Sequence, residues 1–393
     1  MSTGIIKICK IKLFKEYFFQ FIAILMFFLL IFMKVSPSIK SICEIVLMGL
    51  GVILLIYSLS ISKDRNKIII YLLFIIILAF MNMVIAGSVD IKDILKFIIV
   101  HTPISLTIVY SKYKCPLLWK SLFWVVALFL LSRILFVDHY RIFYDTSSNM
   151  VSIYLIILLW LYEYQLCDGF KKICRPSIIY PVTVFILSVL SQGRMGILVS
   201  AFLLVMMVFS RYFLDKKENH LTRLAKQTVL VLILLISLIY IRINFTEIVA
   251  KYLPRFSVAN SYDTASSNAI RVSFLRDYIK ECGNIVNFLF GLDFSQTSHL
   301  ASYEGGNVHN SYLMVHSYLG IFGLVLFLFV QIKSMKYLWE SRQYYMFFTL
   351  VAFAIRIITD YCVPGNIGDI MWMCLIAIDF KNRGFKICQK ELQ

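Results

Sequence analysis

Residues Ile68–Ala86 read IIIYLLFIIILAFMNMVIA, an apolar run without a charged side chain. An α-helix rises about 1.5 Å per residue, so this run is long enough to cross the roughly 30 Å hydrocarbon core of a bilayer. The rest of the chain repeats the pattern, since 60% of its 393 residues are hydrophobic and only 16% are charged. A soluble domain cannot bury that much apolar surface. The sequence therefore predicts an integral membrane protein that crosses the bilayer many times.

Twelve apolar runs are predicted as membrane helices, separated by breaks that contain charged residues, proline or glycine. They form one all-α domain over residues 1–393, and the last run is interrupted by Gly365, Asp369 and Asp379. In chain order the runs are Tyr17–Met33, Ile45–Ile61, Ile68–Ala86, Ile94–Tyr110, Ser121–Val137, Met150–Tyr164, Ile178–Leu190, Gly196–Ser210, Val229–Ile243, Ser311–Val330, Tyr345–Thr359 and Val363–Phe380.

The basic residues orient these helices. With the N-terminus inside, about 25 of the 39 Lys and Arg residues fall in the two tails and the alternate connections, as the positive-inside rule requires. Both termini are therefore predicted to be cytoplasmic. The same rule accounts for the net charge of +17, so no nucleic-acid partner is expected. Only one connection on the opposite face is long, residues 244–310 between the ninth and tenth runs. It is predicted to be a large extracytoplasmic loop, with a helix over 265–282.

Arginine and lysine are distributed differently across the membrane. About 19 of the lysines face the predicted cytoplasm, whereas about eight of the arginines lie outside or near the outer boundary. Topology alone does not predict this sorting, because both residue types obey the positive-inside rule. Arginine presents a planar fork that binds phosphate and carboxylate groups in a bidentate way, so the outer face is predicted to hold an anion. These arginines are Arg133, Arg141, Arg194, Arg242, Arg255, Arg271, Arg276 and Arg356.

Two arginine motifs are candidates for this anion site. The sequence Ser191-Gln192-Gly193-Arg194 lies at the outer end of the seventh run, and its small residues favour a tight turn that presents Arg194 inward. The alternative is an arginine that reaches out to the lipid headgroups. The predicted loop helix carries Arg271 and Arg276 on different faces, and Arg271 is favoured because it lies near the helix N-terminus. The alternative is an amphipathic helix on the membrane surface.

A histidine stands where the long loop re-enters the membrane. His309 and Asn310 precede the tenth run, and histidine is the side chain best suited to exchange a proton near neutral pH. The alternative is a residue at the start of a helix that is satisfied by water. His316 lies seven positions further on, a spacing that does not fit a metal-binding pair, and no acidic cluster accompanies it. Neither a metal nor another cofactor is expected.

Two further polar residues interrupt predicted membrane helices, His101 in the fourth run and Arg356 in the eleventh. Ionisable groups at such depth are functional candidates. The alternatives are a hydrogen bond between helices for His101 and an ion pair with Asp360, one turn away, for Arg356.

In their order and spacing, several of these elements resemble the bacterial O-antigen and capsular polysaccharide polymerases (Wzy type), which are related to the O-antigen ligases. The resemblance covers most of the chain in topology, but its motifs are short. One departure is Gly193, where the family more often has serine. The matching elements are Ser191-Gln192-Gly193-Arg194, Arg271, Gly291-Leu292-Asp293, His309-Asn310-Ser311 and Gly320-Ile321-Phe322-Gly323.

The resemblance implies a helical membrane fold like that of the GT-C glycosyltransferases. It implies transfer of a glycan from an undecaprenyl pyrophosphate carrier to an acceptor sugar hydroxyl on the outer face of the bacterial inner (plasma) membrane. The expected partners are the lipid-linked donor and acceptor, membrane lipid and a chain-length regulator, and an outward cavity is expected between the loop and the bundle. On this reading the catalytic residues are Arg194, Arg271 and His309, with Arg276, Arg356, Asn310, Tyr312, Arg141 and Ser191 as substrate contacts.

Three other functions are weighed against a polymerase. An O-antigen ligase uses the same donor chemistry and is not separated from a polymerase by sequence. A flippase or transporter of lipid-linked sugars predicts internal repeats and polar residues through the midplane, and the sequence has neither. A purely structural membrane subunit does not explain the sorting of the arginines.

Overall fold

The computed structural model describes residues 2–87, 89–137, 142–144, 148–214, 273–293 and 309–390, and the regular structure in these ranges is entirely helical. We number the helices in chain order. They are α1 (Ser2–Phe32), α2 (Pro37–Ile61), α3 (Arg65–Ile85), α4 (Ile91–Tyr110), α5 (Pro116–Phe136), α6 (Met150–Leu166), α7 (Ile179–Leu190), α8 (Arg194–Phe209), α9 (273–281), α10 (Ile285–Phe290), α11 (Ser311–Glu340), α12 (Tyr344–Ile357) and α13 (Gly368–Lys390).

Seven described helices are long and apolar enough to cross a membrane, namely α1 to α5, α8 and α11, while α6, α7 and α12 are shorter apolar helices. This confirms the predicted class, an all-helical protein that passes through the membrane several times. The count of twelve stays a prediction, because the ninth run, 229–243, lies outside the described residues. Most of the predicted loop, residues 244–272 and 294–308, also lies outside them.

Helix α6 forms the axis of one half of the bundle. Every residue from Met150 to Gln165 is buried, and the helix packs against α5, α7, α8 and α12. Its sequence is apolar on all faces, as a fully enclosed helix requires. In the other half α4 has the central place, where it packs against α1, α2 and α13.

A proline distorts α4 in its middle. Pro103 has no N–H, so the carbonyl of Ile99 loses its usual helical partner. The chain responds with one wider π-helical turn, Phe97–His101, closed by the Thr102 N–H on the Phe97 carbonyl. The released Ile99 carbonyl projects onto α2 at Gly51, where a Cβ would overlap it. This wider turn ends on His101.

Helix α11 is broken near its start. Asn310 caps it by accepting hydrogen bonds from the Tyr312 and Leu313 N–H groups, and the backbone leaves helical geometry at Gly320 with φ 64°. The helix then continues to Glu340, beyond the Val330 predicted as its end. Residues 321–340 alone rise about 30 Å, enough to cross a membrane. The short segment before Gly320 instead packs against α10, which also contacts α3.

Those predicted site residues that the structure describes fall at one end of the bundle. Helices α1, α3, α5 and α7 finish there, and α2, α4, α6, α8 and α11 begin there. We call it the His309 end, and the charge pattern predicts that it faces outside.

Candidate functional site

Arg356, at the end of α12, is a fully buried charge at the His309 end. Its side chain is 0% exposed and uses its three nitrogens within the protein. It donates to the Ser152 hydroxyl (3.1 Å), the Asn149 carbonyl (3.0 Å), the Thr359 hydroxyl (2.8 Å) and the Asp360 carboxylate (2.5 Å). The ion pair considered for Arg356 and Asp360 is thus present. The guanidinium ties α12 to the start of α6, and a direct contact with substrate stays a prediction.

Asp360 connects this buried arginine to His309. The second oxygen of its carboxylate lies 3.9 Å from the His309 Nδ1. Burial alone raises the pKa of Asp360, but the charge of Arg356 and the contact with His309 outweigh it, so the net pKa lies below the usual value. His309 keeps 34% of its side chain exposed and adopts a left-handed backbone with φ 49°. The histidine is therefore held against an ionised carboxylate while its ring stays accessible.

The turn that precedes α8 packs on the same start of α6. A Cβ at Gly193 would lie 2.7 Å from the Asn149 Oδ1. A side chain at this position would require Asn149 to shift. Ser191 is buried and donates to the Ser188 carbonyl (3.1 Å), whereas Arg194, the first residue of α8, is partly exposed. The predicted motif is thus a tight turn, with its arginine at the rim of the Arg356 cluster.

Other predicted substrate contacts have roles inside the fold. The Asn310 side chain caps α11, and the Tyr312 hydroxyl donates to the Gln331 Oε1 (2.9 Å). His316 binds the Tyr278 hydroxyl and, through Nε2, the Phe288 carbonyl (2.9 Å), so it fastens α9 and α10 to α11. These contacts leave the predicted sugar contacts of Asn310 and Tyr312 untested.

The arginines of the large loop are only partly described. Arg276 is exposed on α9, where no contact ties it to the Arg356 cluster within the described residues. Arg271 and Arg141 lie outside the described residues, so their predicted roles stay predictions.

A cavity of about 200 Å³ lies beside the Arg356 cluster, within the bundle. Three lysines line it, Lys34, Lys40 and Lys96, against one carboxylate, Asp93. Lys96 also pairs with Glu44 at 3.1 Å. The balance of charge in the lining favours an anionic occupant.

Three tyrosines complete the polar wall of this cavity. Tyr318 donates to the Asp93 carboxylate (3.1 Å), Tyr361 donates to the Pro364 carbonyl (2.6 Å), and Tyr154 follows the α6 segment that holds Arg356. Aromatic rings with carboxylate and ammonium groups suit a ligand that has both apolar faces and polar edges. The expected cavity between the large loop and the bundle stays a prediction, because residues 244–272 and 294–308 lie outside the described residues.

His101 lines the cavity from α4 and forms a pair that the sequence did not reveal. Its Nδ1 lies 3.0 Å from the Asp369 Oδ2, within hydrogen-bond distance, and the two side chains are 2% and 0% exposed. The Gly365 N–H donates to the same oxygen (2.8 Å). In the sequence, Asp369 stands out only as an interruption of the last apolar run. A sign was present, since a lone carboxylate and a lone histidine in apolar segments need partners.

The described residues include no group of three or more His, Cys, Asp and Glu side chains that could hold a metal ion. The site does combine a partly exposed arginine, two histidines that each face a carboxylate, and a cationic cavity. Such a set can bind an anion and move a proton. Comparisons with protein-family models, with curated proteins and with solved structures found no match for the chain. Fold and site together define a helical membrane protein with a polar, cationic cavity at one end.

Proposed function

We propose that the protein is a polymerase that joins oligosaccharide repeat units carried on undecaprenyl pyrophosphate. The reaction takes place on the outer face of the bacterial inner (plasma) membrane, and the product is O-antigen or capsular polysaccharide. The observation that carries this proposal is the convergence of distant motifs. The Ser191–Arg194 turn, the start of α6, the Arg356–Asp360 pair and His309 meet at one end of the bundle.

The convergence has a chemical reason under this proposal. Glycosyl transfer breaks the bond between an anomeric carbon and a pyrophosphate oxygen, and negative charge develops on the departing pyrophosphate. Preorganised cations lower the energy of such a charge. Arg194, at the rim of the cluster, and Arg271 bind the pyrophosphate, with Arg276 or Arg356 assisting. Arg356 holds the start of α6, and thereby the turn that carries Arg194, in place.

His309 serves as acceptor base or orients the substrate. Its contact with Asp360 favours the orienting role, because the Asp360 carboxylate already forms an ion pair with Arg356 at 2.5 Å. Left-handed backbone at His309 and at Gln192, with φ 49° and 54°, supports a functional role for both turns. Such conformations in residues other than glycine cluster at active sites.

Polymer length tests the proposal. Arg194→Ala and His309→Ala are expected to leave a single repeat on the acceptor, while Arg133→Lys retains the normal ladder on a gel. Arg133 is a matched control, since it also lies at the His309 end but donates to the Ile142 carbonyl. Membrane insertion is checked for each variant by quantitative blotting. Full-length polymer from inserted Arg194→Ala and His309→Ala proteins rejects the assignment. Loss of all repeats from the acceptor indicates the ligase reaction instead.

A further inference from the structure

The His101–Asp369 pair is built more tightly than the one at His309. The His101 Nδ1 lies 3.0 Å from its carboxylate, against 3.9 Å for the His309 Nδ1, and neither side chain of the first pair is more than 2% exposed. The Asp369 carboxylate has no arginine partner among the described residues, whereas Asp360 is neutralised by Arg356. A carboxylate that accepts from Nδ1 fixes the tautomer that leaves a lone pair on Nε2.

The backbone of α4 is distorted where this histidine is placed. The wider turn Phe97–His101 ends on it, and π-helical turns occur frequently at functional sites. Ser105 then donates to both the His101 carbonyl (2.9 Å) and the Ile370 carbonyl (2.8 Å), which locks α4 to the start of α13. The backbone segments that carry His101 and Asp369 are thus fixed relative to each other.

The second ring nitrogen of His101, Nε2, takes no part in the pair with Asp369. Among the described residues no hydrogen bond reaches Nε2, and His101 lines the cationic cavity. The Asp369 Oδ1 is likewise buried without a partner among the described residues. The groups that line the cavity with the imidazole are Asp93 and Lys96 on α4, Lys34 between α1 and α2, Lys40 in the first turn of α2, and the tyrosines of α6, α11 and the α12–α13 connection.

We propose that the Nε2 of His101 accepts the proton of the attacking sugar hydroxyl, and that the cavity in front of it holds the phosphate-linked saccharide that reacts. This inference rests on the proposed glycosyl transfer. The acceptor oxygen forms a bond to the anomeric carbon of the donor, and the bond from that carbon to the pyrophosphate oxygen breaks. The bonding electrons leave with undecaprenyl pyrophosphate. The hydroxyl proton passes to Nε2 and is later released to water.

Each surrounding group has a defined part in this step. Asp369 is a positioning residue, because it acts through the imidazole and does not touch the sugar. The three lysines favour a phosphate-bearing reactant. A cavity of about 200 Å³ is smaller than the roughly 300–1,000 Å³ of sites for drug-sized ligands, so it takes only part of the lipid-linked saccharide.

A matched pair of substitutions separates a proton acceptor from a structural hydrogen bond. In His101→Asn the side-chain amide replaces Nδ1 and keeps the bond to Asp369, but the Nε2 position is lost. In His101→Gln the amide replaces Nε2, and the bond to Asp369 is lost. His316→Asn is the control for a buried histidine at the same end, since both of its nitrogens are bound inside the fold.

The assay uses the purified full-length protein in liposomes. The lipid-linked saccharide is extracted from cells that lack this protein. We expect His101→Asn to slow elongation on the order of 100-fold or more, the effect of a lost general base, with a melting temperature close to that of the natural protein. Asp369→Asn forces the proton onto Nε2 and is expected to lower the kcat of elongation while the KM stays close to that of the natural protein. His316→Asn lowers stability but leaves the kcat of the folded fraction unchanged.

Two results overturn the inference, and they are distinguishable. If His101→Asn elongates within about threefold of the natural protein while His309→Ala does not elongate, His101 is structural and the proposed function stands. If the natural protein itself does not elongate the extracted saccharide, the proposed function fails, and this role of His101 fails with it.

Discussion

Replacing Arg356 with methionine tests the central contact of the site. The substitution keeps the length and removes the charge, which leaves the Asp360 carboxylate buried without its cation. Breaking a buried pair from one side costs about 3–5 kcal/mol. The hydrogen bonds to Ser152, Asn149 and Thr359 are lost as well. We therefore expect the free energy of unfolding to fall by about 4 kcal/mol, roughly a 1,000-fold change in the ratio of folded to unfolded protein.

A double-mutant cycle separates the ion pair from the other contacts. Arg356→Met combined with Asp360→Leu removes both charges, and apolar pairs often replace buried ion pairs at little cost. The double variant is thus expected to be about 2 kcal/mol more stable than the sum of the two single effects predicts. Equilibrium unfolding in micelles with increasing dodecyl sulfate, followed by tryptophan fluorescence, measures all four proteins. Additive effects, or a loss below about 1 kcal/mol in Arg356→Met, refute the reasoning.

The same cluster predicts a dependence on pH. The pKa of Asp360 is lowered in the folded protein, so its contribution to stability is complete above its unfolded value of about 4 and is lost as pH falls through the folded value. Unfolding measured between pH 3 and 7 should show this loss at the acidic end, and Asp360→Asn should be less dependent on pH there. An identical acid dependence in both proteins contradicts the assigned ion pair.

Three substitutions test how the loop helices and the turn before α8 are seated. Asn82→Leu removes hydrogen bonds to the Phe290 carbonyl (2.5 Å) and to the Ser317 carbonyl on α11. The amide hydrogens of α10 should then exchange faster, and the free energy of unfolding should fall by about 2 kcal/mol. An unchanged exchange rate counts against this. Gly193→Ser places a Cβ against Asn149 and should cost about 1–3 kcal/mol in the same unfolding assay, whereas a stable variant shows that the turn can shift. Gly320→Ala, at φ 64°, should cost at least 1 kcal/mol, and a neutral result excludes the break in α11.

Apolar patterning predicted the class of the fold and most helices, because lipid leaves few other ways to satisfy a backbone. It is wrong at the end of α11, which it predicts at Val330, whereas the helix ends at Glu340. Lys333 lies three residues after Val330, and sequence alone does not show that it pairs with Asp379 of α13. The break at Gly320 was also invisible, since it depends on how the end of α10 packs there.

Site residues were predictable where a motif is local and hidden where partners are distant. The Ser191–Arg194 turn is a short-range feature, and the structure has it. The partner of His101 is 268 positions away in the sequence, at the start of α13. Only the three-dimensional path of the chain brings the two side chains together, so no spacing rule could have found Asp369.

The enclosure of α6 has a consequence for biosynthesis. The helix lies in the middle of the chain, so it leaves the ribosome before α7, α8 and α12 exist to surround it. Its outward faces must then rest in lipid, although in the finished protein Met150–Gln165 are covered. An all-round apolar surface serves both stages, while the buried Glu163 is tolerated only once its neighbours arrive. A photoreactive group at Leu158 should therefore label lipid in chains arrested after α6 and protein in complete chains, and lipid labelling in both would contradict this order of assembly.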